Sequence, residues 1–136
     1  MNPSEAISRG REILDPIFEQ KGFAPSGTDT GKGSGGSFAT VEYSDGMRKV
    51  SLSFRYSLGC IEYTVGKVTM THEQYLKGIG KRGQYPGFPD NPIDGFSHLA
   101  SDIVAFGSAF FTSTESDFAE ILNDAIRQTR SGFSAI

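Results

Sequence analysis

Apolar residues recur at helical spacing through Ile7, Ile13, Leu14, Ile17 and Phe18, behind an opening of Asn2, Pro3, Ser4 and Glu5. That opening offers a capping side chain, a proline at the first helical position and a carboxylate at N3, so it predicts a helix start. Gly22 is the expected stop, with Phe23 packing back. Pro16 falls inside the stripe, and because the stripe continues in phase beyond it, a kink is expected rather than an end. The pattern then vanishes. Gly27, Gly31, Gly33, Gly35 and Gly36 punctuate a stretch with no apolar period, which predicts a flexible loop over about residues 24–36.

From Ser37 to Thr71 the period becomes two, and three two-residue turns keep apolar residues facing one another. A turn at Asp45-Gly46 pairs Val41 with Val50, Ala39 with Leu52 and Glu42 with Lys49. One at Leu58-Gly59 pairs Tyr56 with Ile61, Phe54 with Tyr63, Leu52 with Val65 and Arg55 with Glu62, unless a bulge shifts the register there. One at Gly66-Lys67 pairs Val65 with Val68 and Tyr63 with Met70. All three agree on one buried face, leaving Thr40, Glu42, Lys49, Ser51, Ser53, Arg55, Glu62 and Thr64 on the other, with Phe38 as its apolar exception.

Thr71 and Gln74 form a capping box for a short helix carrying Tyr75, Leu76 and Ile79, ended by Gly80. Residues 81–91 hold too many prolines and glycines around Tyr85 and Phe88 for regular structure. Asn91, Pro92 and Asp94 open another helix, whose stripe is Phe96, Leu99, Ile103, Phe106 and Phe110, with Asp94, His98, Ser101 and Asp102 on the far side. After Ser113 to Ser116, a last helix begins at Asp117 and Glu120 and frays from Ser131. The order predicts an α+β fold, a four-stranded antiparallel β-meander covered on one face by an N-terminal helix and three C-terminal helices. The chain of 136 residues is the size of a single domain, 1–136.

Composition narrows the function classes. Sixteen acids against thirteen bases give a net charge of -3, which argues against a nucleic-acid or anionic-membrane binder. The apolar stretches are too short for a spanning helix. Met1 to Gly10 lacks the apolar centre of a signal peptide, so a cytoplasmic location is expected. The charge is uneven: residues 83–126 hold seven acids and no lysine or arginine, while residues 21–82 hold nine bases and five acids. Acidic helices of this kind can steer a basic protein partner, although helix capping accounts for Asp94, Asp117 and Glu120 without one.

Motifs for chemistry are sparse. Gly27 to Ser34 resembles a phosphate loop only superficially. The glycine spacing is short by one, Gly33 stands where a hydroxyl should hold magnesium, and the run follows a helix rather than opening one. His72-Glu73 lacks the second histidine of a zinc protease. His98 is flanked by Asp94 and Asp102 at i±4, an arrangement able to raise its pKa or offer weak metal ligands, but a solvated helix face with ordinary i,i+4 pairs is the favoured reading. Cys60 has no histidine beside it, no serine sits in a nucleophile elbow, and no Cys/His cluster has zinc spacing. No catalytic residue, metal site or cofactor is therefore expected.

The stretch Tyr85-Pro86-Gly87-Phe88, followed by Asp94, Phe96, Leu99, Asp102, Phe106, Gly107, Phe110 and Phe111, resembles a pattern in small bacterial proteins, some of which look like immunity proteins of toxin systems. The resemblance implies a catalytically inert cytoplasmic protein that binds a cognate toxin. The leading expectation is thus a non-enzymatic protein-binding domain with a surface of Tyr85, Phe88, Asp94, His98, Asp102 and Asp117. The alternative is a small-ligand protein or enzyme with a pocket between the sheet and the Tyr85–Phe88 loop, using His72 or His98 as its polar group. A third is a homodimer pairing through the polar sheet face or an edge strand.

Overall fold

A computed structural model describes residues 2–33, 36–85 and 91–134. Its elements are α1 (Pro3–Glu19), β1 (Ala24–Gly33), β2 (Gly36–Ser44), β3 (Arg48–Phe54), β4 (Leu58–Val65), β5 (Val68–Thr71), α2 (His72–Gly78), α3 (Asp94–Phe106), α4 (Ser108–Thr112) and α5 (Glu115–Ser134). The strands form one antiparallel meander in the order β1-β2-β3-β4-β5, with the helices against one face.

The first helix starts as its sequence predicts, the Asn2 side chain accepting the Glu5 N–H at 2.9 Å. It runs unbroken past Pro16 to Glu19, and the chain turns away at Gly22, whose φ of 81° lets the Phe23 N–H return to the Phe18 carbonyl. Ala6, Ile7, Gly10, Leu14 and Phe18 form the buried side. Gly10 cannot be larger, because a Cβ there would overlap the Phe96 ring of α3.

The glycine-rich stretch that predicts a loop over about 24–36 instead supplies a fifth strand. β1 pairs with β2 from Ala24 opposite Ser44 to Gly33 opposite Gly36, with an irregularity between Ser26 and Asp29. Glycine weakens a strand without forbidding it, and an edge strand needs only one neighbour.

The register of the β2–β3 hairpin differs from the expected one by two residues. Tyr43 faces Val50, Val41 faces Leu52 and Ala39 faces Phe54. The Asp45 N–H bonds the Arg48 carbonyl and Gly46 has a φ of 98°, so the turn residues are Gly46 and Met47. A two-residue slip preserves parity, which is why the buried face is unchanged. Between β3 and β4 the turn is Arg55 to Ser57 rather than Leu58-Gly59. Tyr56, expected to face Ile61 on the buried side, is 76% exposed there.

Leu58 and Ile61 are both buried although three residues apart, which alternation alone forbids. A bulge opposite Leu52 reconciles them, and Cys60 sits in it with a φ of 50°. The β4–β5 register is as expected, Val65 on Val68 and Tyr63 on Met70. On the outer face the half-buried Phe38 ring lies under the Arg55 guanidinium at 5.6 Å.

The predicted Asn91 helix start is shifted. The Asn91 side chain accepts the Ile93 N–H and α3 begins at Asp94 without a side-chain cap. The long helix expected through Phe110 divides at Gly107 into α3 and α4, and α5 starts at Glu115 behind Thr114 and continues to Ser134. Arg48 reaches from β3 to the carbonyls of Phe110 and Ser113, tying the end of α4 to the sheet.

Candidate functional site

Parity along β5 carries Met70 inward and continues to His72, the first residue of α2. The helix is turned at that point by the Thr71 capping box, in which the Thr71 hydroxyl accepts the Gln74 N–H and the Gln74 side chain accepts the Thr71 N–H. Since Tyr63 pairs with Met70, its side chain lies on the same buried face one step from His72. The Tyr63 hydroxyl is 2.7 Å from His72 Nδ1, and His72 Nε2 is 2.9 Å from Asp102 Oδ2 on α3.

A carboxylate only accepts, so Nε2 carries the proton and Nδ1 of the neutral ring accepts from Tyr63. Asp102 also accepts the backbone N–H groups of Gln84 at 2.6 Å and Tyr85 at 3.0 Å. One carboxylate therefore ties α3 to α2 and to residues 84–85. Gly83 fits over it because a Cβ there would overlap Asp102 and Leu76. Burial holds the His72 pKa below its ordinary value, against the opposing pull of Asp102, and pushes the Tyr63 hydroxyl well above its own.

The outer side of this cluster opens on a groove of about 970 Å³ between α2, residues 79–85 and α5. His72, Leu76 and Tyr85 contribute to its inner wall, Lys77, Lys81 and Arg82 to its rim, and Gln128 reaches in from α5. Glu73 is the one acid in the lining. The Gln128 side chain donates to the Lys77 carbonyl at 2.9 Å, which holds α5 against the end of α2.

The predicted surface residues do not come together as one patch. Asp94 and Asp117 are exposed, on the first turns of α3 and α5, and His98 is half-buried. Asp102, expected on the solvated side of its helix, is 2% exposed and bonded inward, so it is not a surface residue. Tyr85 is an internal anchor as well. Its hydroxyl donates to the Leu58 carbonyl, its ring meets His72 edge-on at 5.6 Å, and burial raises its pKa. Phe88 and the rest of residues 86–90 lie outside the described residues.

Cys60 is free and exposed. Among the described residues no three His, Cys, Asp or Glu side chains gather as a metal-binding group, and no helix is long and apolar enough to cross a membrane. Sequence reasoning missed the basic rim and the Asp102 clasp. The signal for the rim was the cluster Lys77, Lys81 and Arg82 at a helix end, but nothing local marked Asp102 as inward.

Fold and site together define an antiparallel α+β protein with helices on one face of its sheet and a groove between α2, residues 79–85 and α5. Compared with known proteins, the chain matches no family model, no curated protein and no solved structure.

Proposed function

We propose that this protein is a ligand-binding domain without catalysis of its own, and that its site is the groove between α2, residues 79–85 and α5. The observation that carries this reading is the union of a ligand-sized concavity with apolar wall residues and a few convergent polar groups, the usual make-up of a small-molecule site. The wall is preorganised, since Asp102 fastens both the helix and the strand of chain that form it. Each His72 ring nitrogen already has an internal partner, which supports a positioning role for His72 rather than proton transfer.

The test is a fragment screen read by amide chemical shifts, with Gln128→Trp as a groove-filling variant at an exposed position of α5. Hits should perturb residues 76–85 and 128 and be lost in the variant. Hits that map elsewhere and survive Gln128→Trp would sink the assignment.

The second reading is a protein-binding domain for a basic partner, which the exposed Asp94 and Asp117 favour. It predicts a salt-sensitive complex weakened by reversing those two charges, and unchanged affinity would remove the acidic helices from consideration.

A further inference from the structure

We infer that the groove beside α2 is an oxyanion site, taking a small ligand that carries a phosphate or carboxylate on an apolar or aromatic body. This inference rests on the groove being a binding site and adds the chemistry of its occupant. Three cationic side chains, Lys77, Lys81 and Arg82, line it against the single acid Glu73. That balance opposes the chain as a whole, in which acids outnumber bases sixteen to thirteen. A local field of the opposite sign, set in a concavity, concentrates anions there.

No acid among the described residues neutralises these cations. Among the described residues none of the three forms an ion pair, in contrast to Arg11, Lys49 and Arg127. Lys77 makes one hydrogen bond, to the Thr129 hydroxyl at 3.2 Å. Basic residues commonly gather at a helix end to satisfy its last carbonyls. Here three of the last four carbonyls already have other donors: Tyr75 O from the Ile79 N–H, Leu76 O from the Lys81 N–H, and Lys77 O from the Gly80 N–H and the Gln128 amide. Among the described residues, Lys81 and Arg82 are therefore left to solvent or a ligand, while Lys77 gives one of its three N–H donors to Thr129.

Asp102 accepts from His72 and from the N–H groups of Gln84 and Tyr85, so its hydrogen bonds are spent within the cluster and none is taken from the rim cations. Leu76 and Tyr85 supply apolar wall for the body of the ligand, and Arg82 offers a planar fork matched to two oxyanion oxygens.

The experiment titrates the folded full chain with phenyl phosphate, benzoate and phenol, three probes with one aromatic body, following amide shifts at low and high salt. Phenyl phosphate or benzoate should shift residues 76–85, bind at least about tenfold more tightly than phenol, and weaken about tenfold in the double variant Lys81→Glu/Arg82→Glu. Which of the two anions binds more tightly distinguishes phosphate from carboxylate as the favoured group. Both mutated side chains are exposed, so the fold should survive, and circular dichroism checks it. Arg9→Glu/Lys67→Glu, on α1 and in the β4–β5 turn, makes the same change in net charge at exposed positions and should leave affinity unchanged. Equal binding of phenol and phenyl phosphate in the groove would overturn the oxyanion assignment while leaving the groove as a site. Silence of these amides toward both anions, with a neutral fragment still bound there, would do the same. Silence toward every probe and fragment would overturn both.

Discussion

Replacing Asp102 by asparagine probes the clasp with almost no change of shape. The carboxylate accepts three N–H groups, from His72, Gln84 and Tyr85. An amide has one accepting oxygen, so at least one donor loses its partner whichever way the side chain is flipped. If the oxygen keeps His72 and Tyr85, the amide nitrogen faces the Gln84 N–H, and that bond, worth about 1 kcal/mol, is lost. The two bonds that remain change from charge-assisted to neutral, costing about 1 kcal/mol each.

The opposite flip forces His72 into its other tautomer and leaves the Tyr63 hydroxyl without an acceptor in a fully enclosed site. That outcome costs more. The expected loss is about 3 kcal/mol, a large part of the 5–15 kcal/mol typical of a domain. Urea denaturation of both proteins at neutral pH measures it, with an unchanged m-value as the check that the same surface unfolds. A difference below about 0.5 kcal/mol would refute the view that Asp102 holds α3, α2 and residues 84–85 together.

Three further outcomes are expected. Because burial lowers the folded-state pKa of His72, the unfolded chain takes up a proton first as pH falls through 6.5; stability should therefore drop in that window, by up to about 1.4 kcal/mol per pH unit. Denaturation midpoints across the window should show a shallower slope in His72→Gln, and identical slopes would refute the assignment. Gly10→Ala should destabilise by about 1–3 kcal/mol, since the Phe96 ring it strikes is fully buried, and thermal melts of the variant read this directly. Cys60→Gly should stabilise by about 0.5–1 kcal/mol, glycine relieving the left-handed backbone at the bulge at some entropic cost; chemical denaturation that shows a loss would contradict this.

The parts of the fold that local chemistry governs were legible in the residues. Asn2 and Pro3, the Thr71–Gln74 box and the Gly66-Lys67 turn each act over three or four residues, and each sits as expected. The inward face of the sheet was equally clear from alternation, even where the β2–β3 register was two residues out, because parity is blind to an even slip. What local pattern does not carry is pairing that depends on a distant partner. β1 exists because β2 offers it a ladder, and its glycines give no sign of that. Asp102 stands among polar neighbours on α3, and only the tertiary approach of His72 and residues 84–85 turns it into an internal group. The basic rim is a third case, drawn into one concavity with Gln128 from a helix more than forty residues later.

Every strand in the sheet lies beside its neighbours in the chain, from β1 to β5. A sheet of this order can grow by adding one hairpin at a time, so its own closure entropy is modest and its share of contact order is low for a β structure. The long-range closures lie with the helices. Phe96 must enter the space above Gly10, and Asp102 must reach across thirty residues to His72, before either segment gains its burial. Substitutions in the α1–α3 and α2–α3 contacts should therefore slow folding if that docking is formed at the barrier, and speed unfolding if it follows the barrier.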